Sequence, residues 1–520
     1  MKQYTMLYKN TFGKITKSAR KRTPLIKRGG SHRTTVIRVS QPENENGLVS
    51  VHHRPKTLVE NVKFYLVQYS EATTIHGIKY IGERGRSALE RLIWTIIVVV
   101  VCVLCVYSIR KSYLKWQNSP VVMTFATIER SIASIPFPAV TICPEAKFDP
   151  DTFNFTEMVR RKRSGVALTA KEREHLHLSY LVCRNVVRYD DFFYTTTLNR
   201  TSIDDVSDRL FEMMPNFDVG NVSKIIWNEN LLNFTDAFDL SVTTQGVCYT
   251  FNMMAYEDML RNGNMFKRFK KSQHRLRKFS FDGGYQPGKD EGEYPRRTFT
   301  PGLGGGLTID SLYTNSSHLD DLCEGSLQGF KVVIHAMCEL PNMDKHIKLP
   351  LNHMVNVAVK PSVVVVSKEL QQYSPKERKC YFFLEKFLAT YKVYTQKNCM
   401  QECLANFTRA RCGCIPFYFA RKLPKYAKQV LMAVRIIAFS EPTKVCGPTS
   451  FKCVQYSKLK YLEMEHEEER RCACLPSCFD LLYHVETSHL DWNWKRVFDA
   501  VEKLGDAHYN TKALKTYFTI

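Results

Sequence analysis

One stretch of this chain, residues 92–109 (LIWTIIVVVVCVLCVYSI), carries no charge over 18 residues. As an α-helix it would extend about 27 Å, close to the ~30 Å hydrocarbon core of a bilayer. Arg91 closes one end, and Arg110 and Lys111 close the other. Trp94 and Tyr107 sit near the ends, where amphipathic rings favour the membrane interface. The run is apolar on every face, unlike the one-sided stripe of a helix on a soluble core. It lies too deep in the chain for a secretory signal, and no small-residue cleavage site follows. A transmembrane helix is therefore expected at 92–109. A mean hydropathy of -0.28 excludes a polytopic bundle. After Leu481 no apolar run reaches ten residues, so a second span is expected to be absent. The expected organisation is a basic N-terminal segment (1–91), one span (92–109) and a large domain (110–520).

Flanking charges alone do not orient the span, with four Lys/Arg in 72–91 and three in 110–129; sequon and cysteine placement do. Residues 1–91 hold 18 Lys/Arg against 6 Asp/Glu, about half of the chain's net charge of +23. Such a segment seeks an anionic surface. No zinc-finger spacing or other nucleic-acid motif accompanies it, so membrane lipid is the expected partner for Arg20-Lys21-Arg22 and Lys27-Arg28, and nucleic acid is not. None of the 17 cysteines precedes the span; Cys102 and Cys105 lie in it, and the rest follow. All six N-x-S/T sequons also follow it, at Asn154, Asn199, Asn221, Asn233, Asn315 and Asn406. Disulfides and glycans belong to the oxidising side. The expected topology is a cytosolic N-terminus with residues 110–520 outside the plasma membrane.

The outer cysteines are Cys143, Cys183, Cys248, Cys323 and Cys338, then a dense group from Cys380 to Cys478. Cys399 and Cys403 would share a helix face about 6 Å apart. Cys472 and Cys474 would share one face of an extended segment about 6.6 Å apart. The matching rises allow two successive disulfide rungs, and Cys412-Gly413-Cys414 offers another edge. Zinc is the rival for such spacing, but no His sits at ligand distance in sequence, so no metal site is expected. Residues 121–126, 139–143, 246–252, 329–335 and 355–367 are rich in β-branched and aromatic residues and read as strands. Residues 156–181 have helical composition, and 485–504 alternate. An α+β fold follows, with helices outside a sheet core.

Several longer motifs occur in order: Thr73-Thr74-Ile75-His76-Gly77-Ile78-Lys79-Tyr80-Ile81-Gly82 before the span, Trp116-Gln117-Asn118-Ser119-Pro120-Val121 after it, then Ile135-Pro136-Phe137-Pro138-Ala139-Val140-Thr141-Ile142-Cys143-Pro144, Gly246-Val247-Cys248-Tyr249-Thr250-Phe251-Asn252 and the cysteine group. From about residue 57 to 505 the chain resembles the degenerin/epithelial sodium channel superfamily, nearest its insect pickpocket branch. That resemblance implies a homo- or heterotrimer of two-span subunits whose ectodomain has palm, β-ball, finger, thumb and knuckle parts. It implies an amiloride-blocked Na⁺ pore with no cofactor, opened by an extracellular stimulus that the sequence does not name. The family's gating His-Gly falls on His76 and Gly77, and a glycine there fits a tight re-entrant turn. The family's disulfides imply Cys143–Cys248, Cys380–Cys478, Cys399–Cys474, Cys403–Cys472, Cys412–Cys453 and Cys414–Cys446. Cys323 and Cys338 are then left as a local pair, and Cys183 as the unpaired cysteine.

Departures from the family pattern carry their own expectations. The family's second span and its G-x-S filter have no counterpart here, so the chain alone is expected not to conduct. Residues 421–443 interrupt the run between Cys414 and Cys446. Glu463, Glu465, Glu467, Glu468 and Glu469 surround His466; a Ca²⁺ or proton site and a solvated helix face are the two readings. Pro301-Gly302-Leu303-Gly304-Gly305-Gly306 lacks the Gly-Lys-Ser/Thr ending of a phosphate loop and reads as a plain loop. No nucleophile elbow, zinc-protease or kinase signature occurs, so an enzyme is not expected. The alternative to a channel subunit is a single-pass type II receptor or adhesion ectodomain.

Overall fold

A computed structural model of the 520-residue chain describes residues 2–8, 57–83, 85–118, 121–125, 129–183, 203–215, 222–261, 279–280, 284–285, 294–315, 318–323, 327–420, 444–463, 472–503 and 513–519. Two compact units emerge, 9–120 on one side and 1–8 with 121–520 on the other. Asn199, Asn221, residues 421–443, the two basic clusters and the acidic residues beyond Glu463 lie outside the described residues.

The smaller unit is three helices: α1 (Leu58–Ala72), α2 (Ile78–Gly82) and α3 (Ala88–Asn118). Thr57 and Glu60 form a reciprocal capping box that starts α1. Helix α3 is longer than the uncharged run, because residues on both flanks continue it into polar surroundings. Among the described residues it is the one helix long and apolar enough to cross a bilayer, with none of its apolar window buried.

The larger unit is layered. One sheet is five-stranded and antiparallel, from β3 (Ala139–Pro144), β6 (Phe238–Thr243), β7 (Gly246–Phe251), β9 (Phe330–His335) and β10 (Ile347–Leu349), in the order β10-β9-β3-β7-β6. The other runs β2-β1-β11-β13-β8-β4-β5, with β12 along the far edge of β11. Its strands are β1 (Lys2–Tyr8), β2 (Val121–Phe125), β4 (Val222–Trp227), β5 (Asn230–Leu232), β8 (Leu307–Asn315), β11 (His353–Val366), β12 (Phe479–Asp491) and β13 (Ala513–Thr519). Alternation sends Val140, Ile142, Tyr249, Phe251, Val355 and Val357 into one core shared by the two sheets. A second core includes Val242 and Val247 together with Phe155, Val159, Leu176 and Leu210 of the helices α4 (Phe155–Arg163), α5 (Ala170–Ser179) and α6 (Ile203–Met213). Strands β3 and β7 are consequently buried at every position.

The expected strands at 139–143, 246–252, 329–335 and 355–367 coincide with β3, β7, β9 and β11 to within two residues. Two expectations need correction. Residues 156–181 form two helices, because Thr169 and Glu172 box a new start after Gly165 takes a positive φ of 74°. Residues 485–504 are a strand that ends at Asp491 and a helix over Trp494–Lys503. The Trp494 indole donates to Asn352 Oδ1 at 2.6 Å and anchors that change.

Buried polar groups in the five-stranded sheet are satisfied in series. His335 Nδ1 lies 2.9 Å from the Ala336 carbonyl, which only accepts, so Nδ1 carries the hydrogen. Nε2 then accepts from the Thr141 hydroxyl at 2.9 Å. Thr250 donates to Thr141 at 2.8 Å, and Ser241 donates to Thr250 at 2.7 Å. Burial pushes the His335 imidazole down to about 4.

Candidate functional site

The His-Gly turn is built by the ends of α1 and α2. Helix α1 stops at Thr73, whose backbone N–H still bonds the Tyr69 carbonyl at 2.9 Å. Residues 73–76 then turn, and Gly77 takes a φ of 95° that side chains with a Cβ rarely adopt. A Cβ on Gly77 would stand 2.9 Å from Val98 Cγ2 and 3.6 Å from the Trp94 ring. Gly77 is buried and His76 is exposed. Val98 lies six residues into the uncharged run, about 9 Å along the helix. The turn therefore packs at the level of the apolar run, as a re-entrant turn would.

Three further contacts fix the turn. Gly82 is closer still to its neighbour: a Cβ there would fall 1.8 Å from Ser70 Oγ and 2.7 Å from Ser70 Cβ. The Tyr80 ring packs on Trp94 with centroids 4.6 Å apart, and the Arg86 guanidinium lies 4.7 Å from the Tyr80 centroid. Arg86 also bonds Glu83 at 2.7 Å and Glu90 at 2.8 Å, while Arg91 donates to the Glu83 carbonyl at 3.1 Å. The hydrogen bond from Arg86 holds the Glu83 carboxyl below its usual range, and the same bond raises Arg86. Sequence reading named His76 and Gly77 and missed these partners. The i,i+3 and i,i+4 spacing of Glu83, Arg86 and Glu90 was the available signal.

The larger unit holds seven disulfides. Cys143–Cys248, Cys380–Cys478, Cys399–Cys474, Cys403–Cys472, Cys412–Cys453 and Cys414–Cys446 are bonded as the resemblance implied. Helix α7 (Gln396–Cys412) presents the two rungs, with Cα separations of 5.6 and 6.3 Å. It starts on Thr395, which caps the Asn398 N–H, and stops at Gly413 with φ 70°. The cysteines weighed for zinc all lie in these bonds.

The proposed Cys323–Cys338 pair does not form. Cys323 bonds Cys183, with Cα atoms 4.5 Å apart, and Cys338 is a free, buried thiol. The reason is strand β9, which lies between 323 and 338 and carries the chain about 20 Å over six residues. The Asp320 carboxylate meanwhile accepts from the N–H groups of Thr156, Leu322 and Cys323 and pins Cys323 beside α4. No spacing rule predicts a bond of sequence separation 140. Among the sequons, Asn154, Asn233, Asn315 and Asn406 are exposed.

Residues 69–519 match the family model described as "Amiloride-sensitive sodium channel". The chain belongs to the amiloride-sensitive sodium channel family. This is an ion-channel family and not an enzyme class. Pickpocket protein 28 of Drosophila melanogaster is 24% identical over 440 residues, 82% of this chain and 65% of the relative. Sodium channel protein Nach of the same fly is 23% identical over 364 residues, 68% and 63% of the two chains. Pickpocket protein 19 is 21% identical over 473 residues, 85% and 81%. The chain thus spans slightly less than two thirds of the first two relatives. Both the pre-span turn from Tyr69 onward and the cross-linked domain fall inside the family match.

Proposed function

We propose that this chain is a subunit of an amiloride-sensitive, stimulus-gated sodium channel of the plasma membrane. Residues 1–91 face the cytosol and 110–520 the outside, and the subunit acts in assembly with other channel subunits. The observation that supports this reading is order: the family match covers the His76-Gly77 turn, an apolar helix and a seven-disulfide domain in succession. In this reading the outer domain receives the stimulus. Its movement reaches the pore through the helix on which Gly77 rests, and His76 stands where the turn meets the cytosol.

The topology has a consequence for β1. The structure pairs Lys2–Tyr8 with Val121–Phe125 and with residues 362–366. A helix α3 that spans a bilayer puts residues 2–8 and 121–125 on opposite sides, so inserted chains give this pairing up. Cysteines at Thr5 and Thr124, directly opposed in the register, report on it. No cross-link between them in intact membranes is expected, whereas efficient cross-linking overturns the proposed topology. For function, the full chain is co-expressed with pickpocket-type subunits in oocytes. Expected are co-purification, endoglycosidase-sensitive glycans on Asn154, Asn233, Asn315 or Asn406, and a changed amiloride-sensitive Na⁺ current. A chain that reaches the surface, binds no other subunit and changes no current refutes the channel reading.

A further inference from the structure

The outer domain contains a cavity of about 370 Å³ against the core shared by its two sheets. One wall is the segment 132–138, which comes shortly after the apolar helix in the chain. A second is strand β11 at 356–359 with Tyr483 of β12, and the third is the glycine-rich loop 298–306. That loop, read from sequence as a plain connector, is shaped by close approach. A Cβ on Gly305 would fall 1.8 Å from the Thr300 carbonyl oxygen, so the backbone folds tightly on itself there. The fold holds the loop against β11 and leaves Leu303 67% exposed.

The chemistry of the walls is one-sided. Ile132, Ile135, Phe137, Leu303, Val357 and Val359 supply most of the surface, and no charged side chain lines the cavity among the described residues. Two of its hydroxyls already donate: Thr298 to the Thr300 carbonyl at 2.9 Å, and Tyr483 to the Pro136 carbonyl at 2.9 Å. Asn356 borders the cavity by its backbone, because the pleat that turns Val357 and Val359 to one face of β11 turns the Asn356 side chain to the other. The volume lies in the range of small-molecule sites. At ~30 Å³ per packed group it admits roughly ten to twelve heavy atoms.

We propose that this cavity binds an uncharged, mainly hydrocarbon small molecule. Such a ligand would brace segment 132–138 against β11 and β12. The site is read by equilibrium labelling, so its test does not depend on conduction.

The test uses 1-octanol carrying a diazirine, photolysed with the full chain in native membranes, and adducts mapped by peptide mass spectrometry. Expected are adducts within 132–138, 298–306 or 356–361 that excess 1-octanol suppresses. Val359→Trp and Ile132→Trp fill the space from two different walls, and each is expected to lower labelling at least fivefold. Retention of the seven disulfides shows that the variant has folded, and a folding failure of one leaves the other to decide. Labelling confined to 92–109 overturns the proposal, as does outer-domain labelling that neither competitor nor substitution lowers. Labelling that vanishes when copies assemble also overturns it, because a second copy then fills the cavity.

Discussion

The pre-span hairpin and the outer domain solve the same problem with different materials. In residues 57–118 the large apolar side chains are mostly exposed, from Leu58 at 80% and Tyr65 at 67% to Val106 at 64%. Its shape comes from two glycines, one aromatic pair and one exposed ion cluster. The outer domain buries its apolar residues in two cores, closes seven long loops covalently and places ionisable groups deep inside. Under the proposed topology the difference follows each region's solvent: shape holds a segment covered by lipid or neighbouring subunits, and cross-links hold a domain in oxidising water. Substitutions that remove one device at a time test this contrast.

The largest effect is expected where charge is buried. Lys331 and Glu145 pair at 2.8 Å with side chains 7% and 4% exposed, and Lys331 also donates to Gln245 at 3.2 Å. Lys331→Met leaves the Glu145 carboxylate unpaired, and such losses run to about 3–5 kcal/mol. Urea unfolding of the folded chain should register that loss. A loss under ~1 kcal/mol would show that the pair is solvated.

The corrected disulfide gives the next test. Cys183→Ala should cost about 2–5 kcal/mol, because it reopens a loop of separation 140. Cys338→Ala removes one small buried group and should cost about 1 kcal/mol. The reverse order, a large loss for Cys338→Ala and a small one for Cys183→Ala, would restore the local pairing of Cys323 with Cys338.

This pair also marks what the sequence could tell. Spacing made two rungs between Cys399/Cys403 and Cys472/Cys474 legible, and the resemblance supplied which cysteine meets which. The outline of the sheets was legible because β3, β7, β9 and β11 are dense in β-branched residues. The partner of Cys183 was not, since it depends on Asp320 pinning a turn to α4 across the fold. His76 and Gly77 were visible only as a motif. That Gly77 rests on Val98 is a tertiary fact that no local pattern carries.

Two buried groups near one sheet should pull the pH dependence in opposite directions. Burial lowers His335 to about 4, so the unfolded chain binds its proton first as pH falls below ~6.5. That group's stabilisation is complete above pH 6.5 and is lost toward pH 4, by about 3 kcal/mol. Burial raises Asp239 to about 6, with Arg296 opposing the shift. The folded chain then binds the Asp239 proton first, so this group destabilises above pH 6 and ceases to do so near pH 4. Its partial exposure holds the effect to ~1–2 kcal/mol. Between pH 6 and 4 the two terms offset each other in the wild type. His335→Gln should give stability that rises as pH falls, and Asp239→Asn stability that falls more steeply. Denaturant midpoints across pH 4–7 measure both slopes, and parallel slopes in the two variants would contradict the assignment.

The glycines of the hairpin separate conformation from space. Gly77→Ala meets both a left-handed φ and Val98, so Val98→Ala in the same chain should recover only the steric part and leave about 1 kcal/mol. Gly82 is helical, so its obstacle is Ser70 alone. Ser70→Ala should not rescue Gly82→Ala, because the Ser70 Cβ itself stands 2.7 Å away, whereas Ser70→Gly should. Quenching of Trp94 by Tyr80 contact, read as fluorescence, reports whether α2 remains against α3. Full rescue of Gly77→Ala by Val98→Ala would show that the φ carries no strain.

The smallest effect should come from Arg86, although it makes the most contacts of any residue in the hairpin. Its partners Glu83 and Glu90 are 43% and 47% exposed, so water already screens them, and such exposed pairs contribute little. The ring contact with Tyr80 adds a second small contribution. Arg86→Gln removes both terms, and 0.5 M salt removes only the first, since the screening length there is a few ångströms. In salt, Arg86→Gln should therefore retain the ring-contact part of its effect, and a Tyr80→Leu background should abolish that remainder. If the effect of Arg86→Gln is instead large and insensitive to salt, the ion cluster is shielded from water. The hairpin would then resemble the outer domain in holding buried charge, and the contrast between the two regions would fail at this point.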